Sequence, residues 1–538
     1  MKHQGTETRS RAGKVDVLSF ETIRGWVARR PDGTFPTVDV AIDGLVVRTV
    51  RPIFRLETAR GGFKFRIHRS LARYVAGPGS IELLVDGVPL PVASSEVPAS
   101  SSAKPVAELR ELLGSGYFVN KKGRLQRAID QDVEWQEKTF DFYSRARETF
   151  RELFGYDLHI TYGTLLGYGR GRDFVPGDDD FDTAYLSRHT DAASVRAELL
   201  EIVCTLLARG QDVRVFRRNL FHWHGPDGAI VDVFPSWIEG RDYFMTFAVG
   251  GPHAHVFEAG YEEVELKGRP VLVPRDVEGA LEAIYGPEWR VPDPLFQWAV
   301  QPTAQAAMHA VSLDDLELAR VHWTRFYGQD RGVPQPSPFA TWVAERLPES
   351  LRTVIELGCG NGRDTAAVAQ GRSALGLDYS PTAIERNREV WAESSIDFEQ
   401  VDVSDAESLA TATAGRFDDG PVAVYSRFFI HAISDEAEAT LLGFLRRALP
   451  AGSVVYLEFR TEKDKNTPKV FGEHYRRFVD PDALVKRMRR GGHFALEHSE
   501  RGHGLAVYKD EDPFVARLVL VKQDPWFARF TRGRRSTR

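Results

Sequence analysis

Four carboxylates fall within five consecutive positions of this chain, Asp178-Asp179-Asp180-Phe181-Asp182, inside the segment Thr161–Tyr185, TYGTLLGYGRGRDFVPGDDDFDTAY. Like charges so close repel unless something positive lies between them, and that limits the ways the segment can fold. Read as a strand, the run puts Asp180 and Asp182 on one face, because side chains alternate with a period of two. A hard divalent cation is the simplest neutraliser, and Mg²⁺ commonly takes one or two carboxylates together with substrate phosphates. Phosphoryl chemistry is therefore the first expectation. A solvated acidic loop is the other reading of the same run.

The residues around the run narrow the choice. Gly163-Thr164-Leu165-Leu166-Gly167, Arg170 and Pro176-Gly177-Asp178-Asp179-Asp180-Phe181-Asp182 together resemble the LicD/fukutin-like phosphotransferases of nucleotidyltransferase type, with Gly177 where that family carries Trp. Ile230-Val231-Asp232-Val233-Phe234-Pro235 resembles the family strand that brings a further metal carboxylate, here Asp232. Ile284-Tyr285-Gly286-Pro287-Glu288-Trp289, followed by Pro292, is similar to the signature that closes the domain. The resemblance implies an α+β nucleotidyltransferase-like domain over residues 107–300. It implies Mg²⁺ held by Asp178, Asp180, Asp182 and Asp232, with Asp180, Asp182 and Asp232 catalytic. Gly163 and Thr164 would admit the nucleotide phosphate and Arg170 would neutralise it. The implied donor is a CDP-activated alcohol (choline, glycerol or ribitol), and the implied acceptor is a sugar hydroxyl of a cell-surface glycan.

At 538 residues the chain exceeds one ordinary core, and about three domains are expected. A net charge of −6 argues against a general nucleic-acid binder. Cys204 and Cys359 are the only cysteines, which excludes a disulfide framework or a cysteine-built zinc site and fits a reducing compartment. The opening MKHQGTETRSRAGK lacks an apolar signal-peptide core, and no run approaches a membrane span, so a cytoplasmic location is expected. Residues 523–538 form a basic tail with Arg529, Arg532, Arg534, Arg535 and Arg538 near Trp526, Phe527 and Phe530. It reads either as a weak contact with the anionic inner face of the membrane or as a solubilising tail.

Residues 15–92 read as a β-sandwich. Val38–Ile42 alternates, Asp43-Gly44 marks a hairpin turn, and the pattern recurs over Ile81–Val88. The texture resembles β-rich modules attached to bacterial glycosyltransferases and polysaccharide enzymes, with Trp26 either a core residue or a sugar platform. Residues 93–106 read as a linker, and Leu125–Phe154 as one long helical stretch. His222 and His224 share a strand face across Trp223, which suits substrate contact or packing better than a metal. Residues 301–345 read as a helical connector broken at Pro334–Pro338.

Beyond the connector, Thr353–Leu357 reads as a buried strand, Gly358-Cys359-Gly360-Asn361-Gly362 as a tight loop, and Arg363–Gln370 as a helix. That order lets a cofactor approach the backbone, and Asp378 at the end of the next strand is placed to bind ribose hydroxyls. Glu356-Leu357-Gly358-Cys359-Gly360-Asn361-Gly362 resembles motif I of the class I S-adenosylmethionine-dependent methyltransferases, its third Gly coming too early for a dinucleotide fingerprint. Gln400-Val401-Asp402-Val403 is similar to the element near the adenine and Val422–Ser426 to the fourth strand. Leu505–Tyr508 and Val515–Val521 resemble the closing antiparallel pair. The resemblance covers residues 346–522 and implies a Rossmann-like α/β domain. Glu356, Gly358, Gly360, Gly362, Asp378 and Asp402 would hold S-adenosylmethionine.

Methyl transfer needs in-line alignment and often only a weak base. His431, just after the fourth strand, reads as that base or as a packed helix-start residue. Glu458 and Arg460 are expected in the cleft. The His474–Phe478 segment suits a phosphorylated acceptor or an Arg-bearing surface helix. The whole chain is expected to be multidomain: an N-terminal β-sandwich, an α+β nucleotidyltransferase-like domain and a C-terminal Rossmann-like methyltransferase. The function expected is a bifunctional glycan-modifying enzyme using Mg²⁺ and S-adenosylmethionine. The alternative is a glycan methyltransferase whose first catalytic domain is degenerate and serves as a binding scaffold.

Overall fold

Alternating apolar residues build two small antiparallel sheets at the start of the chain, in a computed structural model that describes residues 12–52, 59–247, 249–293, 300–329, 335–467, 469 and 475–524. Pro334, His474 and the basic tail from residue 525 onward lie outside the described residues. One sheet joins Gly13–Leu18, Ile23–Ala28 and Arg60–Phe65; the other joins Leu45–Val50, Val38–Ile42, Ile81–Val85 and Val88–Pro89. Asp43 and Gly44 both take left-handed backbone (φ 43° and 76°), the two-residue turn that follows strand twist. Val15, Ile23, Val40, Phe63 and Leu83 share one core, and that core also takes in Leu109, Val119 and Leu125. Trp26 is half-buried, with the Arg60 guanidinium 4.1 Å from its ring centre.

Val119 and Leu125 flank a hairpin, Tyr117–Val119 paired with Leu125–Arg127. The single helix expected from Leu125 therefore starts late. It runs from Val133 to Phe154, where the Asp132 side chain accepts the Trp135 N–H at 3.1 Å and caps it. Cross-strand pairing claims residues 125–127 before helical periodicity can act.

The next sheet orders His159–Ile160, Asp182–Leu186, Ile230–Glu239 and Leu220–His224. Asp182–Leu186 runs parallel to Ile230–Glu239, and Leu220–His224 runs antiparallel to it. The Val133–Phe154 helix covers one face through edge-on aromatic contacts, Phe142 on Trp223 at 6.0 Å and Phe140 on Phe181 at 5.8 Å. Two local expectations change. Gly163 and Thr164 form the first turn of a helix, Tyr162–Gly171, rather than an isolated turn. The strand begins only at Asp182, so Asp180 reaches its place from a loop and not by strand alternation.

By contact the described residues fall into two compact units, one within Met1–Arg196 and Arg214–Ser312, the other within Ala197–Val213 and Leu313–Arg538. The connector is three helices: Pro302–Ala310 in the first unit, and Asp315–Gly328 and Pro338–Ala344 in the second.

The second unit centres on a seven-stranded sheet in the order Ile396–Gln400, Ser373–Asp378, Thr353–Leu357, Ala423–Arg427, Val454–Arg460, Val515–Lys522, Phe494–Gly502. The first five strands are parallel and Val515–Lys522 is antiparallel to its neighbour. Both faces are buried, one with Ile355, Leu375, Val424 and Leu441, the other with Val354, Val368, Phe339 and Tyr425. This is a Rossmann-like sheet, whose order reverses beside Thr353–Leu357, the place where such folds bind ligands. The closing pair uses Phe494–Gly502, not Leu505–Tyr508. Among the described residues no helix is long and apolar enough to cross a membrane.

Candidate functional site

Strand register assembles the acidic site in the first unit. Asp182 lies beside Asp232 in the parallel pair, and His222 lies beside Asp232 in the antiparallel pair. The preceding loop then folds Asp178 and Asp180 in, so that Asp178, Asp180 and Asp182 each offer an oxygen within 4.8 Å of the others. Two ligands on opposite sides of one Mg²⁺ are about 4.2 Å apart, so this oxygen set suits a hard cation. Gly163 is required there: a Cβ on it would sit 1.8 Å from Asp178 Oδ2. Its N–H donates to Asp182 Oδ2 at 3.0 Å, and Thr164 Oγ1 accepts the Asp182 N–H at 2.9 Å. These two residues place the carboxylates.

Burial and charge crowding set the protonation. Burial and the neighbouring carboxylates hold Asp178 and Asp182 well above the usual range, and Asp232 is pushed up to about 8. Asp180 moves the other way, since Lys121 and a hydrogen bond with Asp178 outweigh its burial. Burial pulls His222 down to about 4, helped by His224 and Lys122, so it is neutral with Nε2 3.5 Å from Asp232 Oδ2. Carboxylates that retain protons because they are buried and crowd one another are relieved by a divalent cation, and the residues present fit one.

Three residues at this site have no signal in the sequence. Asn120 Nδ2 donates to Asp179 Oδ2 at 2.8 Å, across 59 positions of chain. Lys121 Nζ is 3.5 Å from both Asp179 and Asp180, and Lys122 Nζ is 3.1 Å from Asp179. Asn-Lys-Lys-Gly reads locally as a turn, and nothing in its spacing ties it to the Asp run. Arg170 needs correction. Its Nε donates to the Trp289 carbonyl at 2.8 Å and its Nη2 donates to the Trp289 and Val291 carbonyls, which fastens the end of its helix to the Pro287–Arg290 turn. The guanidinium is spent on backbone rather than on a phosphate.

In the second unit, Gly358, Gly360 and Gly362 all take left-handed backbone, with φ of 73°, 52° and 73°. A Cβ at Gly358 would meet Phe429 at 2.4 Å, at Gly360 the Tyr327 hydroxyl at 2.4 Å, and at Gly362 the Trp391 indole nitrogen at 2.8 Å. Asp378 Oδ2 accepts the Gly360 N–H and Oδ1 the Ser380 N–H, each at 2.9 Å. A carboxylate has about four acceptor sites, so capacity remains for a ribose hydroxyl. The cradle fits an adenosyl cofactor.

The other expected cofactor and acceptor residues are engaged differently. Glu356 is buried under the loop, where it accepts a hydrogen bond from Thr365, and burial together with Asp364 pushes its pKa well up. Asp402 is exposed, and its Oδ1 accepts from the Ser404 N–H and hydroxyl at 2.9 and 2.7 Å. His431 is buried, and its Nδ1 accepts the Arg460 N–H at 3.2 Å. With Nδ1 occupied by that N–H, this nitrogen is not open to take a proton from an acceptor. Phe428, left-handed at φ 54°, has Arg427 4.2 Å and Arg460 5.2 Å from its ring centre.

Arg460 is tied to Asp464 and Glu511 at 2.7 and 2.5 Å. Glu458, 1% exposed, bridges Arg427 and Arg517 at 2.8 Å each. Glu458→Ala strands two buried guanidiniums and is expected to destabilise the second unit by about 3–5 kcal/mol. Calorimetry should show its unfolding transition move down while that of the first unit stays in place.

The strand order and glycine cradle define an α/β domain built for a nucleotide-containing cofactor. Residues 348–466 match a family model described as "Methyltransferase domain". A ubiquinone biosynthesis O-methyltransferase of Pseudomonas paraeruginosa is 34% identical over 80 residues, 14% of this chain and 33% of that protein. The chain therefore spans about a third of the length of this curated relative. A methyltransferase structure from Anabaena variabilis shares 17% identity over 39% of this chain and 96% of its own, with a TM-score of 0.32. The glycopeptide N-methyltransferase MtfA complexed with S-adenosyl-L-homocysteine shares 16% over 35% of this chain and 90% of its own, with a TM-score of 0.29. The C-terminal part of the chain is a class I S-adenosylmethionine-dependent methyltransferase domain.

Proposed function

We propose that the protein is a bifunctional transferase acting on a cell-surface glycan. Its first unit moves a phospho-alcohol from a CDP-activated donor to a sugar hydroxyl, and its second methylates the same or a neighbouring group. The observation that carries the first half is the convergence of Asp178, Asp180 and Asp182 from a loop and strand onto the Asp232 strand. Mg²⁺ on these carboxylates would supply charge stabilisation for the departing CMP and the loose phosphoryl transition state. Gly163 and Thr164 hold the carboxylates in place. Asp232, flanked by a neutral His222, would receive the proton of the attacking hydroxyl once a bound cation has displaced its own.

In the second unit the glycine loop and Asp378 bind S-adenosylmethionine, and the Phe428–His431 segment borders the acceptor. His431, fixed through Nδ1, holds this segment in place, and the chemistry is left to in-line alignment. The donor, the glycan acceptor, and a cytoplasmic site at the inner membrane face belong to the same proposal.

A ³¹P NMR assay with a panel of CDP-alcohols, a surface-glycan extract and Mg²⁺, with and without S-adenosylmethionine, tests both halves. CMP release with a new phosphodiester signal is expected from one donor, and that signal should shift further when the methyl donor is added. Consumption of S-adenosylmethionine without CMP from any donor, with a competent acceptor, would overturn the transferase half.

A further inference from the structure

We propose that Lys121 and Lys122 bind the diphosphate of the nucleotide donor, and that the N-terminal sheets exist to hold these lysines over the carboxylates. The inference rests on the phosphotransferase reading of the acidic site and adds to it the element that receives the substrate's charge.

The hairpin carrying the lysines is fixed from two sides. On one side it belongs to the N-terminal core, through Val119 and Leu125. Arg48 Nη1 donates to the Val119 carbonyl at 2.6 Å, the His68 N–H to the Gly123 carbonyl at 3.0 Å, and the Leu125 N–H to Ser70 Oγ at 3.0 Å. Gly123 is left-handed at φ 70°, and a Cβ there would lie 1.8 Å from the Arg66 carbonyl oxygen. On the other side, buried Asn120 uses its Oδ1 to accept the Lys122 and Arg124 N–H groups at 2.9 and 3.0 Å, and its Nδ2 to donate to Asp179. The backbone at the tip is thereby locked against the acidic loop.

The lysine heads are held otherwise. Their side chains are 60% and 62% exposed, and their contacts with Asp179 and Asp180 are 3.1–3.5 Å long. Their carboxylate partners are largely buried, Asp179 at 5% and Asp180 at 23% exposed, so each lysine offsets buried negative charge while its own ammonium stays open to solvent. A flexible ammonium on a rigid base, open to solvent and within reach of a cation-binding carboxylate cluster, is the arrangement that binds phosphate as a point charge. A divalent cation held by Asp180 would weaken the pull on Lys121 and leave its ammonium for phosphate oxygens.

The test titrates the full chain calorimetrically, first with MnCl₂ alone and then with CDP in saturating Mn²⁺. The wild type is expected to bind both. K121M/K122M should hold Mn²⁺ at least as tightly, having lost two competing cations, and bind CDP more weakly by roughly tenfold or more per lysine. K121R/K122R should restore CDP binding to within a few-fold. G123V, which drives a side chain into the Arg66 carbonyl, should weaken CDP binding with Mn²⁺ binding intact. Unchanged CDP affinity in K121M/K122M, with normal Mn²⁺ binding, overturns this inference and leaves the transferase reading standing. Loss of Mn²⁺ binding in K121M/K122M makes the lysines structural and also overturns it. A wild type that binds neither probe overturns both.

Discussion

Asp232→Asn is expected to abolish phospho-alcohol transfer, by roughly a hundredfold to a thousandfold or more, and to leave methyl transfer unchanged. The substitution keeps the shape of the residue between Asp182 and His222 while removing the charge and proton-accepting capacity of a carboxylate. The two proposed sites lie in separate compact units, so one substitution in the first should not reach the second. CMP release followed by ³¹P NMR, beside transfer of a labelled methyl group, reads both in one preparation. Equal loss of the two activities would contradict independent sites.

The same variant carries a stability signature of opposite sign. Folding raises the Asp232 pKa from 3.8 to about 8, chiefly through burial, so the native state holds a proton that the unfolded chain releases. The stabilising effect of that proton is complete below pH 4 and is lost as the pH rises toward 8. In EDTA, the amide introduced by Asp232→Asn cannot ionise and escapes the loss. The variant should therefore melt higher than wild type at pH 8 and close to it at pH 4. A variant that melted lower at pH 8 would show that Asp232 is not held protonated by its surroundings. A gain in stability beside a loss of activity is the mark of a functional carboxylate cluster held against its own repulsion.

The ease of reading these sites from the chain differed with the distance over which each is specified. The glycine loop is local: Thr353–Leu357, three glycines and Asp378 lie within 26 positions, and backbone geometry demands each of them. The Asp run was visible as composition, but the reason its members meet was not. Strand alternation grouped Asp180 with Asp182, whereas the structure brings Asp180 in from a loop that Gly163 leaves room for. The lysine hairpin is specified by an N-terminal core far from it in sequence, and no local pattern reports that. Arg170 and Glu458 show the converse error. Each has the right charge beside a site, yet fixed partners consume them, two backbone carbonyls for one and two guanidiniums for the other. The closing strand Phe494–Gly502 is mostly polar and only partly buried, and so gives a weak alternation signal in the sequence.

Gly360→Val should remove methyl transfer and S-adenosylhomocysteine binding by roughly a hundredfold or more, with CMP release untouched. Left-handed backbone costs a residue with a Cβ about 1–2 kcal/mol at one position, and β-branching makes φ near +52° worse. Steric demand adds to this, since the new Cβ would lie 2.4 Å from the Tyr327 hydroxyl. Relief by rotating φ would withdraw the Gly360 N–H from Asp378 and the Gly360 carbonyl from Asn387, which donates to it at 2.8 Å. Asp378 would then lose the bond that orients it toward a ribose. The two causes can be separated. Gly360→Ala/Tyr327→Ala removes the collision and retains the backbone strain, so it should recover part of the cofactor affinity that Gly360→Ala alone loses. No recovery would assign the whole defect to backbone conformation. Wild-type affinity for S-adenosylhomocysteine in Gly360→Val would mean that the cofactor does not lie against this loop, and the second half of the proposed function would fall with it.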